Sequence, residues 1–391
     1  MIRDVKQLDI DGKRVFVRAD FNVPIENGAI TELHRIESTL PTLRYILPKA
    51  KKLIVASHLG RPGGKKSPEW SLAPVRAALE KLLGCPVALA PDCIGPEVEA
   101  LVRETDPKVL LLENLRFHKE EEKNDPQFSS QLARLAEVYV NDAFGAAHRA
   151  HASTAGMAKF FTEKGAGLLL KKELDYLGTL LANPEPPFVA ILGGAKVSDK
   201  IGVINNLMPK IDSLLIGGGM AYTFLKAKGV SIGRSLVEAD RVELARELIA
   251  KAKQTNIALL LPVDHVAAEG RDKDPVAVDG ENIPPNLMGL DIGPKTIALF
   301  GDAIKKARMI LWNGPVGLFE EEKFSAGTKT VARAIAESDA VSVVAGGDTV
   351  AAVEQAGVGE RITHLSTGGG ATLEFLEGKK LPGIEALEAA G

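Results

Sequence analysis

The chain has 391 residues, 45% of them hydrophobic, with 48 Lys and Arg against 51 Asp and Glu for a formal net charge of −3. That length suits two to three domains of about 150 residues, and the near-neutral charge excludes the broad basic surface that a nucleic acid or an anionic membrane selects. The first residues, MIRDVKQLDIDGKR, are charged from the third position, and no later run reaches the roughly 18 uninterrupted apolar residues of a membrane span, so a cytoplasmic protein is expected.

In the first half, short apolar runs (RVFVRAD, KLIVASH, VLLLENL, EVYVNDAF) alternate with helix-patterned stretches such as ELHRIESTLPTLRYILPKA and SLAPVRAALEKLLG. That alternation predicts parallel βα units. Near residues 170–187, LKKELDYLGTLLANPEPPF reads as a helix ending in prolines that cannot continue it, which suits an interdomain connection. A second series of strand signals comes after it: FVAILGG, SLLIGGG, ALLLPVD, MILWNG, VSVVAGG and ITHLSTGGG. The expected fold is α/β: two Rossmann-like three-layer α/β/α domains with parallel sheets, joined by a hinge helix. Cys85 and Cys93 show no metal-ligand spacing and no nearby histidine pattern, so both are read as idle thiols in a reducing compartment.

The strand ends differ between the halves. In the first, they carry side-chain donors: Asp20 and Asn22, His58 and Arg61, Arg116 and His118, then His148, Arg149 and His151. Ligands of open parallel sheets bind outside the carboxyl ends of the strands, and converging arginine forks suit a small ligand bearing carboxylate and phosphate. In the second half, strand ends carry glycines, whose backbone N–H groups can approach a nucleotide polyphosphate at helix starts. LGGAKVSDKI sets Lys196 and Lys200 four apart at an expected helix start, a spacing that puts both ammonium groups on one face. Asp348, at the strand-to-helix junction VVAGGDTVAA, suits either an N-cap or a magnesium ligand. A Walker-type G-x-x-x-x-G-K-[ST], the protein-kinase H-R-D and D-F-G pair and a G-x-G-x-x-G are all missing. A silent binder of nucleotide or phosphosugar on the same fold, and a dehydrogenase on a doubly wound scaffold, stand as the alternatives.

The motifs VRADFNVP, SHLGRP, LLENLRFH, NDAFGAAHRAHAS, LGGAKVSDKI, IGGGMAYTFL, LDIGPKT, LWNGPVGLFE, AGGDTVAA and STGGGATLEFL run in this order over nearly the whole chain, and together they resemble the phosphoglycerate kinase family. The resemblance implies a glycolytic phosphotransferase that moves a phosphoryl group reversibly between 1,3-bisphosphoglycerate with MgADP and 3-phosphoglycerate with MgATP. It implies a triose-phosphate domain over residues 1–170, an interdomain helix and linker over 171–187, a nucleotide domain over 188–372 and a C-terminal segment, 373–391, that returns to the first domain. Matched motif by motif, the triose site is expected at Asp20, Asn22, Arg35, His58, Arg61, Arg116 and Arg149. The nucleotide site is expected at Gly218 and Gly219 beside adenine, Gly289, Lys200 on the phosphates, Asn313, Glu320 at the ribose, and Gly346, Gly347, Asp348 and Thr349, with Asp348 as the ligand of Mg2+. Arg35 and Lys196 are expected to neutralise the transferring group, with backbone amides around Gly368, Gly369 and Gly370 completing the clamp. The family pattern further implies a monomer that closes about its hinge. Thr372 stands where the family commonly has serine, and the loop GRPGGKKSPE departs from the pattern without touching an assigned role.

Overall fold

The computed structural model describes residues 2–104 and 106–388. Within it the chain divides into two compact units, Met1–Asp175 with Lys380–Gly391, and Tyr176–Lys379. Each is organised by a six-stranded sheet whose paired strands all run parallel.

In the first unit the strands lie side by side as Val87–Leu89, Val109–Leu111, Lys52–Ala56, Arg14–Arg18, Val138–Asn141 and Lys164–Ala166. The three central strands are buried almost end to end, as parallel strands covered on both faces must be. Val15, Val17, Leu53, Val55, Val138 and Val140 enter one core cluster with helix residues such as Ile36, Leu43 and Leu79. Spatial order reverses at Arg14–Arg18: the chain crosses to Lys52–Ala56 on one side and only later returns to Val138–Asn141 on the other. Asp20 and Asn22 come directly after the strand at that reversal.

The sheet of the second unit runs Ala258–Leu260, Ser213–Ile216, Phe188–Leu192, Met309–Asn313, Val341–Ala345 and His364–Leu365. Numbered within the unit this is the doubly wound order 3-2-1-4-5-6, which opens a crevice at the carboxyl ends of its first and fourth strands. Asn313 is in register with Leu192 on one side and Ala345 on the other. Val189, Ile191, Ile310, Val344 and the fully buried Trp312 fill its core, and the Trp312 indole N–H is satisfied by the Gly314 carbonyl at 2.8 Å.

Two smaller pieces add antiparallel structure to the expected parallel plan. Ile25–Glu26 and Ala29–Ile30 form a hairpin whose turn residues Asn27 and Gly28 both have positive φ, 50° and 78°, the geometry that Asn-Gly turns favour. His265–Ala268, Val276–Val278 and Met288–Ile292 make a three-stranded antiparallel sheet, and Gly289 lies on its last strand. The helix Leu168–Ala182 carries the chain from one unit into the other. Beyond Lys379 the described chain belongs to the first unit, where Gly383 donates its N–H to the Ala147 carbonyl at 2.9 Å. Among the described residues no helix is long and apolar enough to cross a membrane.

Candidate functional site

The first unit builds its strand ends from charged side chains that hold one another. Arg35, in the first turn of the helix His34–Ile46, donates from Nη1 to Asp20 Oδ2 at 2.6 Å. Asp20 Oδ1 accepts the Asn22 N–H at 3.2 Å, and the Asn22 side-chain oxygen accepts the Gly60 N–H at 2.8 Å. The Gly60 carbonyl in turn accepts from Arg116 Nη1 at 2.7 Å. Burial pushes the Asp20 carboxyl up, but Arg35, Arg18 and the Asn22 N–H outweigh it and hold the group below the usual carboxylate range.

His58 lies 3.9 Å from Asp20, Nδ1 to Oδ1, yet it does not act as a cation. Burial drives its pKa well down, and Arg18, Arg116 and Arg35 add to that effect against the single pull of Asp20. The geometry agrees, because Arg18 Nη2 is 3.1 Å from His58 Nδ1. A guanidinium can only donate, so Nδ1 must be the acceptor and the ring proton sits on Nε2, free for a ligand.

Among the described residues, Arg61 and Arg149 are not tied into this network by direct side-chain hydrogen bonds. Arg61 is exposed, and Arg149 is half-buried, with its Nε 3.1 Å from His148 Nε2. Burial lowers the Arg116 pKa, opposed by Glu122, with the like charges of Arg18 and Arg149 adding to the fall; burial also takes His151 down to about 3, helped by Arg18, Arg116 and Arg149. An anion placed among these cationic groups would be stabilised by them.

The residues that support this cluster were not picked out by sequence pattern. Arg18, wholly buried at the end of its strand, donates from Nε to Ser153 Oγ at 2.7 Å. Ser153 donates to the equally buried Glu121, from N to Oε2 at 2.9 Å and from Oγ to Oε1 at 2.5 Å. Buried charges need such partners. The one available signal was an arginine directly after the apolar run Val15–Val17; Glu121, within KEEEK, looks like solvated surface.

In the second unit much of the glycine content serves backbone contact. Gly193 N–H donates to the Asn313 carbonyl at 3.0 Å, Gly194 N–H to Pro315 at 2.9 Å, and Gly218 N–H to Val316 at 2.8 Å. Gly218, with φ of 65°, sits so close to Gly194 and Pro315 that a Cβ would meet their backbone atoms at 2.8 Å. The reason for glycine at 218 is therefore an interlock of strand-end loops, and its amide is already engaged. Gly219 begins the next helix, Met220–Ala227, as its N-cap residue. Gly289 donates to Ser235 Oγ at 2.9 Å, and a Cβ there would collide with the Tyr222 hydroxyl.

Polar groups converge at the crevice itself. Lys200 donates to the Asn313 side-chain oxygen, while Asn313 Nδ2 donates to the Ala345 carbonyl at 2.8 Å. Thr349 Oγ1 accepts the Gly314 N–H at 2.7 Å, and Gly346, with φ of 93°, is the N-cap of the helix Gly347–Gln355. Burial lowers the Lys200 pKa, opposed by Asp199 and Asp348. Its hydrogen-bond partner is a neutral amide, so it is a cation held in place without a bonded counter-ion. Asp348 is exposed in the first turn of its helix and makes no side-chain hydrogen bond among the described residues; with Gly346 as the cap, the capping role is excluded. A hard carboxylate with no hydrogen-bond partner among the described residues, close enough to Lys200 to act on its charge, fits magnesium, which is commonly held by one or two carboxylates plus phosphate oxygens. Glu320 is exposed; two residues earlier, Leu318 N–H bonds the Leu290 carbonyl at 2.7 Å, tying the Glu320 loop to the strand of Gly289.

One expectation from the sequence fails here. The helix begins at Ile201, so Lys196 and Lys200 do not share a helical face. Residues 197–200 form turns held by Glu238, which accepts Val197 N–H at 2.5 Å and Ser198 N–H at 3.2 Å on Oε2, and Ser198 Oγ at 2.6 Å on Oε1. Lys196 is exposed and has no ion-pair partner among the described residues. Glu238 lies some forty residues downstream, where no local pattern could mark it. At Gly369 the backbone takes φ of 52° and ψ of −115°, between Gly368 and the helix Gly370–Leu376. Thr372 keeps the hydroxyl that the family's serine would supply, 2.7 Å from Ser366 Oγ.

A family model described as phosphoglycerate kinase matches residues 5–379. Curated relatives named phosphoglycerate kinase include those of Koribacter versatilis, 57% identical over 395 residues with 98% of each chain covered, and Clostridium botulinum, 54% identical over 389 residues with 98% of each covered. A solved phosphoglycerate kinase from Coxiella burnetii superposes with a TM-score of 0.89 at 41% identity, covering 99% of both chains. One from Pyrococcus horikoshii gives 0.85 at 32% identity, over 99% of this chain and 98% of the other.

Proposed function

The chain belongs to the phosphoglycerate kinase family of glycolytic phosphotransferases, and from that premise we propose how its residues divide the work. The first unit binds the triose ligand, 3-phosphoglycerate or 1,3-bisphosphoglycerate, through Asp20, Asn22, Arg35, His58, Arg61, Arg116 and Arg149. The second unit binds ATP or ADP. Gly218, Gly219 and Gly289 line the adenine, Glu320 meets the ribose, and Lys200, Asn313, Gly346, Gly347 and Thr349 gather at the phosphates. Asp348 holds magnesium, which neutralises phosphate charge when bound.

The nucleophile is a carboxylate oxygen of 3-phosphoglycerate, ionised at neutral pH, so no general base is required. Catalysis then consists of alignment and charge stabilisation. Arg35 and Lys196 neutralise the equatorial oxygens of the transferring group, and backbone amides near Gly369 complete the clamp. Because the two ligands are assigned to different units, transfer requires closure about the helix Leu168–Ala182 and exclusion of water from the acyl phosphate. The enzyme acts as a cytoplasmic monomer, with no nucleic acid or membrane partner.

The observation that carries this reading is the contrast at the two strand-order reversals: in one unit the hydrogen-bonded set of Asp20, Arg35, Asn22 and Arg116, and in the other the half-buried Lys200 with only an amide partner and Asp348 with no side-chain hydrogen bond among the described residues. The test is ATP formation from 1,3-bisphosphoglycerate and ADP, with and without magnesium, by wild type and Lys196→Ala. Magnesium-dependent turnover that collapses in the variant supports the assignment. Folded wild type that binds both ligands without turnover would reduce the chain to a silent binder.

A further inference from the structure

Cys93, idle by its sequence neighbourhood, is not isolated in the fold. The edge strand Val87–Leu89 pairs in register with Val109–Leu111, so the chain leaving one strand runs beside the chain leaving the other. The Ala90 N–H bonds the Leu111 carbonyl at 2.8 Å, and His118 closes the 3-10 turn Leu115–Phe117. One donor atom from each of Asp92, Cys93 and His118 then lies within 4.8 Å of the other two.

The cluster has a defined build. His118 Nε2 is 2.7 Å from Asp92 Oδ1, and the same oxygen accepts the Cys93 backbone N–H at 2.6 Å. The imidazole ring is braced by Phe128, centroid to centroid 5.1 Å. Cys93 is fully buried, whereas the His118 and Asp92 side chains are 24% and 40% exposed. The thiol is thus the buried member of the cluster, and the imidazole and the carboxylate are its partly exposed members.

We propose that Asp92, Cys93 and His118 form a binding site for a borderline-soft divalent cation of the zinc type, with solvent as the fourth ligand. Sulfur, nitrogen and oxygen donors together select such an ion over magnesium or calcium. In a tetrahedral shell with metal–ligand bonds of about 2.0–2.3 Å, donor atoms sit roughly 3.3–3.8 Å apart. The His118–Asp92 pair must therefore open by about half an ångström and the thiol must approach by at most about one, movements within the reach of side-chain rotation. On binding, the Cys93 S–H and His118 Nε2–H bonds break; the thiol proton leaves to solvent, the Nε2 proton leaves to solvent with Nδ1 keeping or taking up one so that the ring is neutral, and the freed sulfur and Nε2 lone pairs pass to the metal. Occupancy ties the ends of two neighbouring strands to the turn that bears Arg116.

The test uses the full chain, stripped with chelator and titrated with Co2+ alone while its absorption is followed. One equivalent is expected to give tetrahedral visible bands and a thiolate-to-cobalt charge-transfer band in the near ultraviolet, both removed by one equivalent of Zn2+. The charge-transfer band should vanish in Cys93→Ser and persist in Cys85→Ser. Asp92→Asn and His118→Ala, at partly exposed positions that tolerate substitution, should each weaken Co2+ binding at least about tenfold, in keeping with the cost of disturbing metal-site residues. Absence of the charge-transfer band in folded wild type, its survival in Cys93→Ser, or an affinity unmoved by both Asp92→Asn and His118→Ala would overturn the proposal.

Discussion

In the proposed division of work, the two units hold an anion at the reversal of a parallel sheet with different materials. The first uses side chains: Asp20 steers Arg35, Arg18 sets the His58 tautomer, and Gly60 links Asn22 to Arg116. The second uses backbone: loops at Gly193, Gly194, Gly218 and Gly314 interlock, and a short set of side chains around Asn313 and Lys200 completes the crevice. A site made of side chains can lose one function at a time, whereas a site made of backbone transmits a single added methyl into its scaffold.

The sharpest break in that contrast is Arg35→Ala. Its loss should lower kcat by roughly 10²–10³-fold, the scale of removing one transition-state charge stabiliser, while leaving the KM for MgATP within about twofold; the urea midpoint should also fall, because the buried Asp20 loses its ion-pair partner. An unaltered kcat would remove Arg35 from the transferring group. Gly289→Ala should behave oppositely. Its new Cβ collides with Tyr222, an overpacking that costs about 1–3 kcal/mol in urea unfolding and raises the nucleotide KM but not the triose KM. Adding Tyr222→Phe should return part of the loss.

Asp348→Ala should raise the magnesium concentration for half-maximal activity by about tenfold, near 1.4 kcal/mol of lost binding, with no change in triose binding; normal metal dependence would take Asp348 out of the metal site. The smallest effect concerns pH. His58 is held neutral by burial and by the surrounding arginines, with its pKa depressed in the fold. Its contribution to stability is therefore present above the unfolded value near 6.5 and is lost as pH falls through the depressed folded value. Wild type should lose at most about 1.4 kcal/mol per pH unit from this residue below pH 6.5, and His58→Gln should show a flatter acid limb in a series of denaturant melts.

Legibility in the sequence divides along the same line. Side chains at strand ends declare themselves: Asp20, Asn22, His58 and Arg116 stand just after buried apolar runs, and the structure joins Asp20, Asn22 and Arg116 through hydrogen bonds with His58 beside them. Supports remote in the chain do not. Glu121 reaches Ser153 and Arg18 only through the fold, and Glu238 shapes the turns before Lys200 from some forty residues away. Spacing misled at Lys196 and Lys200, because an i, i+4 argument presumes a helix and the local backbone is committed to Glu238 instead. Glycine was ambiguous for a physical reason: the same missing Cβ serves anion contact and loop interlock, and only the partner of the Gly218 N–H separates the two. The parallel sheets could be read from buried β-branched runs, but the antiparallel strands Val276–Val278 and Met288–Ile292 carry too little continuous apolar pattern to be seen.

The most direct test of the division between units is calorimetric titration of 3-phosphoglycerate and of MgATP, each alone, into wild type, Arg35→Ala and Lys200→Ala. Arg35→Ala should lose affinity only for 3-phosphoglycerate and Lys200→Ala only for MgATP. A folded variant that loses both ligands, or loses the other unit's ligand, would contradict that division.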